Sequence, residues 1–268
     1  MTNLPPGSGA RFELDRVSVR FGDTLGLSEV ELEVLPGEAV ALVGPSGSGK
    51  TTLLRLLIGA LRCDHGSIRI DGRSISELSR ADLAATRSRI GFIYQDLRLV
   101  PNFRVAQNVL SGRIGQQSLL GSIRSLIRPS RATLHDVHAV LNRVGIGEKL
   151  FQRTDQLSGG QQQRVAIARA LYQNPRALLA DEPVSSVDPA RAESTIELLT
   201  SVCRERRLTL IVSLHQWPLA QRYFPRLIGL RRGRVVFDRA PRDVSDSDLA
   251  TLYDLSGLSA EELLNVHD

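Results

Sequence analysis

Gly44-Pro45-Ser46-Gly47-Ser48-Gly49-Lys50-Thr51 is the stretch on which the reading of this chain turns. The residues before it, Ala39-Val40-Ala41-Leu42-Val43, form a short apolar run, as in a strand buried on both faces. After it Leu53, Leu54, Leu57, Ile58 and Leu61 recur at helical spacing. Buried strand, glycine-rich turn and amphipathic helix, in that order, make the phosphate-binding loop pattern. Its glycines permit the positive-φ bends that turn successive N–H groups inward, and the helix adds the partial positive charge of its N-terminus. In such a loop Lys50 reaches the β- and γ-phosphates of a nucleotide, and the Thr51 hydroxyl completes a Mg²⁺ shell. Thr52, one residue further, counts with the loop as nucleotide-binding.

The 268 residues are 42% hydrophobic and 24% charged with 4% aromatics, which excludes disorder, collagen and a disulfide scaffold. Cys63 and Cys203 stand far apart and read as free thiols in a reducing compartment. No run of about 18 apolar residues occurs, and Met1–Ala10 has no secretory apolar region, so a cytoplasmic location is expected. The net charge of +5 is spread along the whole chain and reads as a solvated surface; nucleic acid is not an expected partner. Of the 34 basic residues only Lys50 and Lys149 are lysines. A lysine retained inside the glycine-rich loop marks a place where a compact ammonium is needed in place of a planar fork.

Outward from the loop, alternation at 11–20 and 28–34 predicts half-buried strands, and further strands are expected at 67–71, 90–94, 176–180, 208–213, 226–230 and 234–238. Helical patterns at 105–112, 117–127 and 132–144 fill a region, about 97–165, without strong strand signal. It reads as a helical insertion in an α/β domain whose units 39–61 and 176–204 share a mostly parallel sheet. Ala177-Leu178-Leu179-Ala180 ends in Asp181 and Glu182. A carboxylate leaving a buried strand toward a phosphate loop can hold Mg²⁺, the role expected of Asp181, and Glu182 beyond it can polarise an attacking water. Leu157-Ser158-Gly159-Gly160-Gln161 has capping-box spacing, Ser158 to Gln161. Capping does not ask for two glycines at the start of a helix, where they cost stability; close backbone approach to a phosphate does.

Together these three elements resemble the nucleotide-binding subunit of an ABC transporter, over about residues 11–255. The resemblance implies an α/β fold: a P-loop (RecA-like) core at about 11–96 and 166–255, an N-terminal antiparallel β subdomain, and a helical subdomain at about 97–165. Residues 1–10 then form a flexible N-terminus and 256–268 a tail, where Ser259 to Glu262 has the spacing of a capped helix. It also implies roles. Phe21 stacks on adenine, Gln95 senses Mg²⁺ and the permease, and His215 contacts the γ-phosphate. Ser185-Ser186-Val187-Asp188 crosses a dimer interface, and Leu157–Gln161 touches the ATP of a second, head-to-tail copy. The implied partners are a second ATPase subunit, two copies of a transmembrane permease and an external solute-binding protein, at the cytoplasmic face of the membrane. Leu97–Phe103 is then expected to line a groove for a permease helix.

Ser111–Gly115, Val212-Ser213-Leu214-His215-Gln216 and Ile228-Gly229-Leu230 are similar to the phosphonate-import ATPases. Asp96, Arg98 and Val187 depart from the pattern. The resemblance implies phosphonate as the cargo, with phosphite, phosphate esters and phosphate as rivals, another importer class as the alternative transporter, and an ABC ATPase acting on nucleic acid as the alternative class.

Overall fold

The computed structural model describes residues 9–116, 119–185 and 187–253. The chain order is β1 (Phe12–Phe21), β2 (Thr24–Val34), β3 (Ala39–Val43), α1 (Lys50–Leu57), β4 (His65–Ile70), β5 (Arg73–Ser74), α2 (Arg80–Arg87) and β6 (Ile90–Ile93). Then follow α3 (Val105–Leu110), a 3₁₀ stretch (Ser111–Gln116), α4 (Leu119–Ile127), α5 (Arg131–Arg143) and α6 (Gly159–Tyr172). The last part holds β7 (Ala177–Ala180), α7 (Pro189–Arg206), β8 (Thr209–Leu214), α8 (Trp217–Tyr223), β9 (Arg226–Arg231), β10 (Arg234–Arg239) and α9 (Asp246–Tyr253).

Two sheets result. The first, β2-β1-β4-β5, is antiparallel; the second, β10-β9-β3-β8-β7-β6, is parallel except for β10 at its edge. The apolar runs of the parallel strands explain the layering, because alternate residues go to opposite faces. Ala41, Val43, Leu178, Ala180, Leu210 and Val212 join a core with α3, α5, α6 and α7. Val40, Leu42, Leu179, Ile211 and Ile228 join a second core with α1 and the antiparallel sheet. The carboxyl ends of β3, β8 and β7 therefore open on one rim, where ligands of parallel sheets bind.

Departures from the expected elements have local causes. The helix expected to run to Leu61 stops at Leu57, because Gly59 takes φ +69° and closes a Schellman cap: its N–H donates to Leu56 O (2.8 Å), and that of Ala60 to Arg55 O (2.8 Å). The helix expected over 105–112 turns to 3₁₀ at Ser111, where a Cβ on Gly112 would sit 2.3 Å from Arg169 O of α6. Among the described residues of 97–165 the only strand-like pairing is one isolated bridge, Arg104 with Arg153. The expected tail helix near Ser259 and the 1–8 part of the N-terminus lie outside the described residues.

Candidate functional site

The loop after β3 is shaped by contacts that only glycine satisfies. Gly44 has φ +143°, and a Cβ there would stand 2.1 Å from Leu230 O of β9. Gly49, at φ +109°, would meet Gly26 O of β2 at 2.8 Å. Gly47, at φ +76°, faces open space, and Pro45 and Ser46 lead into it, with Ser48 N–H donating to Pro45 O (3.2 Å). Gly49 caps α1 without any side-chain hydrogen bond, and the first N–H to find an acceptor is that of Leu53, to Gly49 O (2.9 Å). The N–H groups of Lys50, Thr51 and Thr52 thus lead an uncapped helix start, which favours an anion.

Lys50 is buried, and its ammonium donates to Gly44 O (2.7 Å) and Pro45 O (3.0 Å). Burial pushes its pKa below the usual lysine value, opposed by the carboxylates of Glu182 and Asp181. The Ser48 hydroxyl, also buried, has no hydrogen-bond partner. A buried orphan hydroxyl, a buried ammonium resting on carbonyls and an uncapped helix start together fit a polyphosphate.

Asp181, at the end of β7, joins this loop to β8. Its Oδ1 accepts from Thr51 Oγ1 (2.9 Å) and from Ser213 Oγ (3.0 Å). Among the described residues no three His, Cys, Asp or Glu side chains gather as a metal cage. A hydroxyl and one carboxylate beside a phosphate loop are instead the sparse oxygen donors that suit Mg²⁺, which keeps waters and takes phosphate oxygens. Glu182 has φ +45°, rare for a residue with a side chain; its N–H donates to Ser213 Oγ (2.8 Å), and its carboxylate contacts His215 Nε2. One buried serine therefore fixes both acidic residues. Ser213 was not singled out from the sequence as a site residue, since a lone serine in an apolar strand gives no signal until the register of β8 against β7 is known.

Hydrogen bonds and charge thus bring Lys50, Thr51, Asp181, Glu182 and His215 together. Phe21 ends β1 half exposed, its ring over Gly26, the residue whose carbonyl abuts Gly49. Gln95 lies exposed in the turn after β6 and makes no hydrogen bond to this cluster. Leu157 is buried; Ser158 caps α6 in a closed capping box, with Gln161 N–H to Ser158 Oγ (3.4 Å) and Ser158 N–H to Gln161 Oε1 (3.1 Å). An added Cβ at Gly159 would touch nothing within 4 Å, and at Gly160 only Arg191 Cδ at 3.7 Å. The chain's own packing does not require either glycine. Ser185 N–H donates to Glu182 O (3.3 Å), Val187 packs on the core, and Asp188 caps α7 by accepting from Arg191 N–H (3.0 Å). Ser186 lies outside the described residues. Leu97 and Arg98 both have positive φ, and their carbonyls accept from Arg169 (2.7 and 2.6 Å). Both cysteines are free thiols.

A P-loop α/β core with an acidic strand end beside the loop defines a nucleoside-triphosphate-binding protein. The sequence profile of the ABC transporter family matches residues 27–185, and the chain belongs to that family as an ATP-binding cassette. A phosphonates import ATP-binding protein from Pseudomonas aeruginosa is 47% identical over 236 residues, 88% of this chain and 87% of that protein. One from Frankia casuarinae is 43% identical over 254 residues, covering 94% and 99%. One from Anaeromyxobacter dehalogenans is 43% identical over 249 residues, 93% of this chain, which spans only 49% of that longer protein. Among solved structures, the ATP-binding cassette MJ0796, dimeric and bound to ADP and phosphate, superposes with TM-score 0.74 at 29% identity, covering 87% of this chain and 100% of that one. CbiO1 from Clostridium perfringens, part of an ABC transporter complex, gives 0.75 at 27%, covering 90% and 92%.

Proposed function

We propose that this chain is the ATP-hydrolysing subunit of an importer that takes up phosphonate or a related phosphorus oxyanion through a separate permease. The observation that carries the ATPase reading is the bonded series Thr51–Asp181–Ser213–Glu182–His215 beside an uncapped helix start and the orphan Ser48 hydroxyl. The cargo reading is supported by the names of the relatives, each a phosphonates import ATP-binding protein.

In this reading the loop from Gly44 to Thr52 wraps the phosphates with N–H groups, and Lys50 leaves its two carbonyls for phosphate oxygens. Thr51 and Asp181 would hold Mg²⁺, with Gln95 as a further ligand that reports the nucleotide to the permease, and the bound ion would supply neutralisation of the phosphate charge. Glu182 accepts a proton from the attacking water; His215, now on its carboxylate, turns to the γ-phosphate. Phe21 stacks on adenine.

The reaction needs a second copy. Gly159 and Gly160, open and at the start of α6, present N–H groups to the γ-phosphate held by the partner's loop, while Ser185–Asp188 line the interface. Closure by ATP and opening after hydrolysis drive the permease, and Leu97–Phe103 form its contact. Among the described residues no helix is long and apolar enough to cross a membrane. The subunit sits peripherally at the cytoplasmic face, two copies on two permease chains, with cargo chosen outside by a solute-binding protein.

The test is uptake of labelled methylphosphonate, phosphite and phosphate in cells lacking the gene. Loss of phosphonate uptake, restored by the intact chain and not by Glu182→Gln, is the expected result. Unchanged uptake of all three would remove the cargo assignment.

A further inference from the structure

Between Asp96 and Asp136 the chain has no acidic residue, while Arg98, Arg104, Arg113, Arg124, Arg128 and Arg131 all fall there. Two of the six stack on rings, Arg98 over Tyr94 and Arg113 over Tyr172; Arg104, at the N-cap of α3, contributes only its backbone N–H, which donates to Gln107 Oε1 (2.9 Å). The other three are exposed on and after α4 and make no ion pair among the described residues.

The same helix carries apolar groups to the surface. Ser122 and Leu126, four apart, face the protein: Ser122 is buried with its hydroxyl donating to Ile114 O (3.1 Å), and Leu126 packs on the core. Those two contacts fix the roll of the helix. Ile123 and Ile127 form the adjacent row and point outward, 46% and 70% exposed, with Ile114 beside them at 41%. Arg124 and Arg128 form the next row, and Arg131 follows on α5. Single exposed isoleucines are ordinary. Three of them bordered by three arginines that form no ion pair among the described residues are not an ordinary solvated surface, where both signs of charge are mixed.

We infer that α4 is a membrane-surface element: its isoleucines enter the headgroup boundary of an anionic bilayer, and Arg124, Arg128 and Arg131 bind lipid phosphates. A basic row beside an apolar row along one helix is what an interfacial helix requires. The charge favours lipid over a permease segment, because every charged residue between Asp96 and Asp136 has the same sign. This inference rests on the proposed reading only in that the subunit works at a membrane.

Flotation of the purified full chain with vesicles tests it. Vesicles of phosphatidylcholine mixed with phosphatidylglycerol should carry the chain, vesicles of phosphatidylcholine alone should not, and high salt should release it. Each arginine near such a surface contributes about a fivefold factor in affinity, so Arg124→Glu with Arg128→Glu should lower binding by about 30-fold or more. Ile127→Asn should weaken it several-fold. Reversal of Arg16 and Arg242, exposed outside the helical region, should change it little. Equal binding to both vesicle types, equal loss with the Arg16 and Arg242 pair, or no loss with the Arg124 and Arg128 pair overturns the inference. So does a chain that floats with neither vesicle type, including one held only by membranes containing the permease. ATP hydrolysis measured on the same preparations separates the two readings: vesicle binding without hydrolysis leaves this one standing and removes the ATPase, and hydrolysis without binding does the reverse.

Discussion

Replacing Gly160 by alanine separates what α6 needs for folding from what it needs for catalysis. Within one chain the new methyl has room, its nearest neighbour being Arg191 Cδ at 3.7 Å, and the backbone is not in the left-handed region. Alanine in a helix is favoured over glycine by about 0.5–1 kcal/mol. Gly160→Ala should therefore raise Tm by about 1–4 °C for a domain of this size. The effect on hydrolysis should have the opposite sign. A Cβ at the start of α6 holds an incoming phosphate at van der Waals distance where the N–H groups need hydrogen-bond distance. Each charge-assisted hydrogen bond is worth about 1.5–3 kcal/mol, so losing one lowers the rate by about 10- to 150-fold. Thermal denaturation and phosphate release on the same preparation read both effects. A variant that is more stable and fully active would show that no phosphate approaches the glycine pair. Gly159→Ala, with nothing within 4 Å, should behave alike.

Ser213→Ala removes the donor to Asp181 and leaves the Glu182 N–H without its acceptor, so urea denaturation should show a loss of about 1–3 kcal/mol, and hydrolysis should fall while adenine binding persists. Burial pushes the Cys203 thiol up to about 12 from 9.0, so the native state keeps it protonated where the unfolded chain ionises. Stability from this group is complete below pH 9 and is lost as pH rises toward 12, by about 1.4 kcal/mol per pH unit; Cys203→Ala should remove this contribution, most visibly between pH 9 and 10, before the buried Tyr253 phenol adds a slope of the same sign. Iodoacetamide at mild alkaline pH should label the half-buried Cys63 and spare Cys203 until the chain unfolds.

The parts of the fold legible in the sequence are those whose signal is local. Ala39–Val43 is apolar because both faces of β3 are covered, and the loop that follows carries its own glycine pattern. The helix α2 gave no such signal, as none of its residues is buried. It is held by Ser79 accepting from Asp82 N–H (3.1 Å) and by Arg87 reaching the carbonyls of Ile58 and Gly59. Its Ser79–Asp82 cap was present in the sequence, but without apolar periodicity it has no weight. In the site, Lys50, Thr51, Asp181 and Glu182 were readable because loop and strand-end patterns are contiguous. Ser213 was not, because its role depends on Val212 lying opposite Ala180 across 32 residues of chain. The two glycines of α6 stand out in the sequence because capping does not call for them, and the packing of the chain gives no reason for them either.

The central claim, that two copies share each ATP between the loop of one and the α6 start of the other, is tested most directly by sizing Glu182→Gln with and without Mg-ATP. Without nucleotide the variant should run as a monomer of 29.4 kDa and with ATP as a stable species of twice that mass, which should not form when Lys50 is also replaced. A Glu182→Gln chain that binds ATP and stays monomeric at every concentration would contradict it.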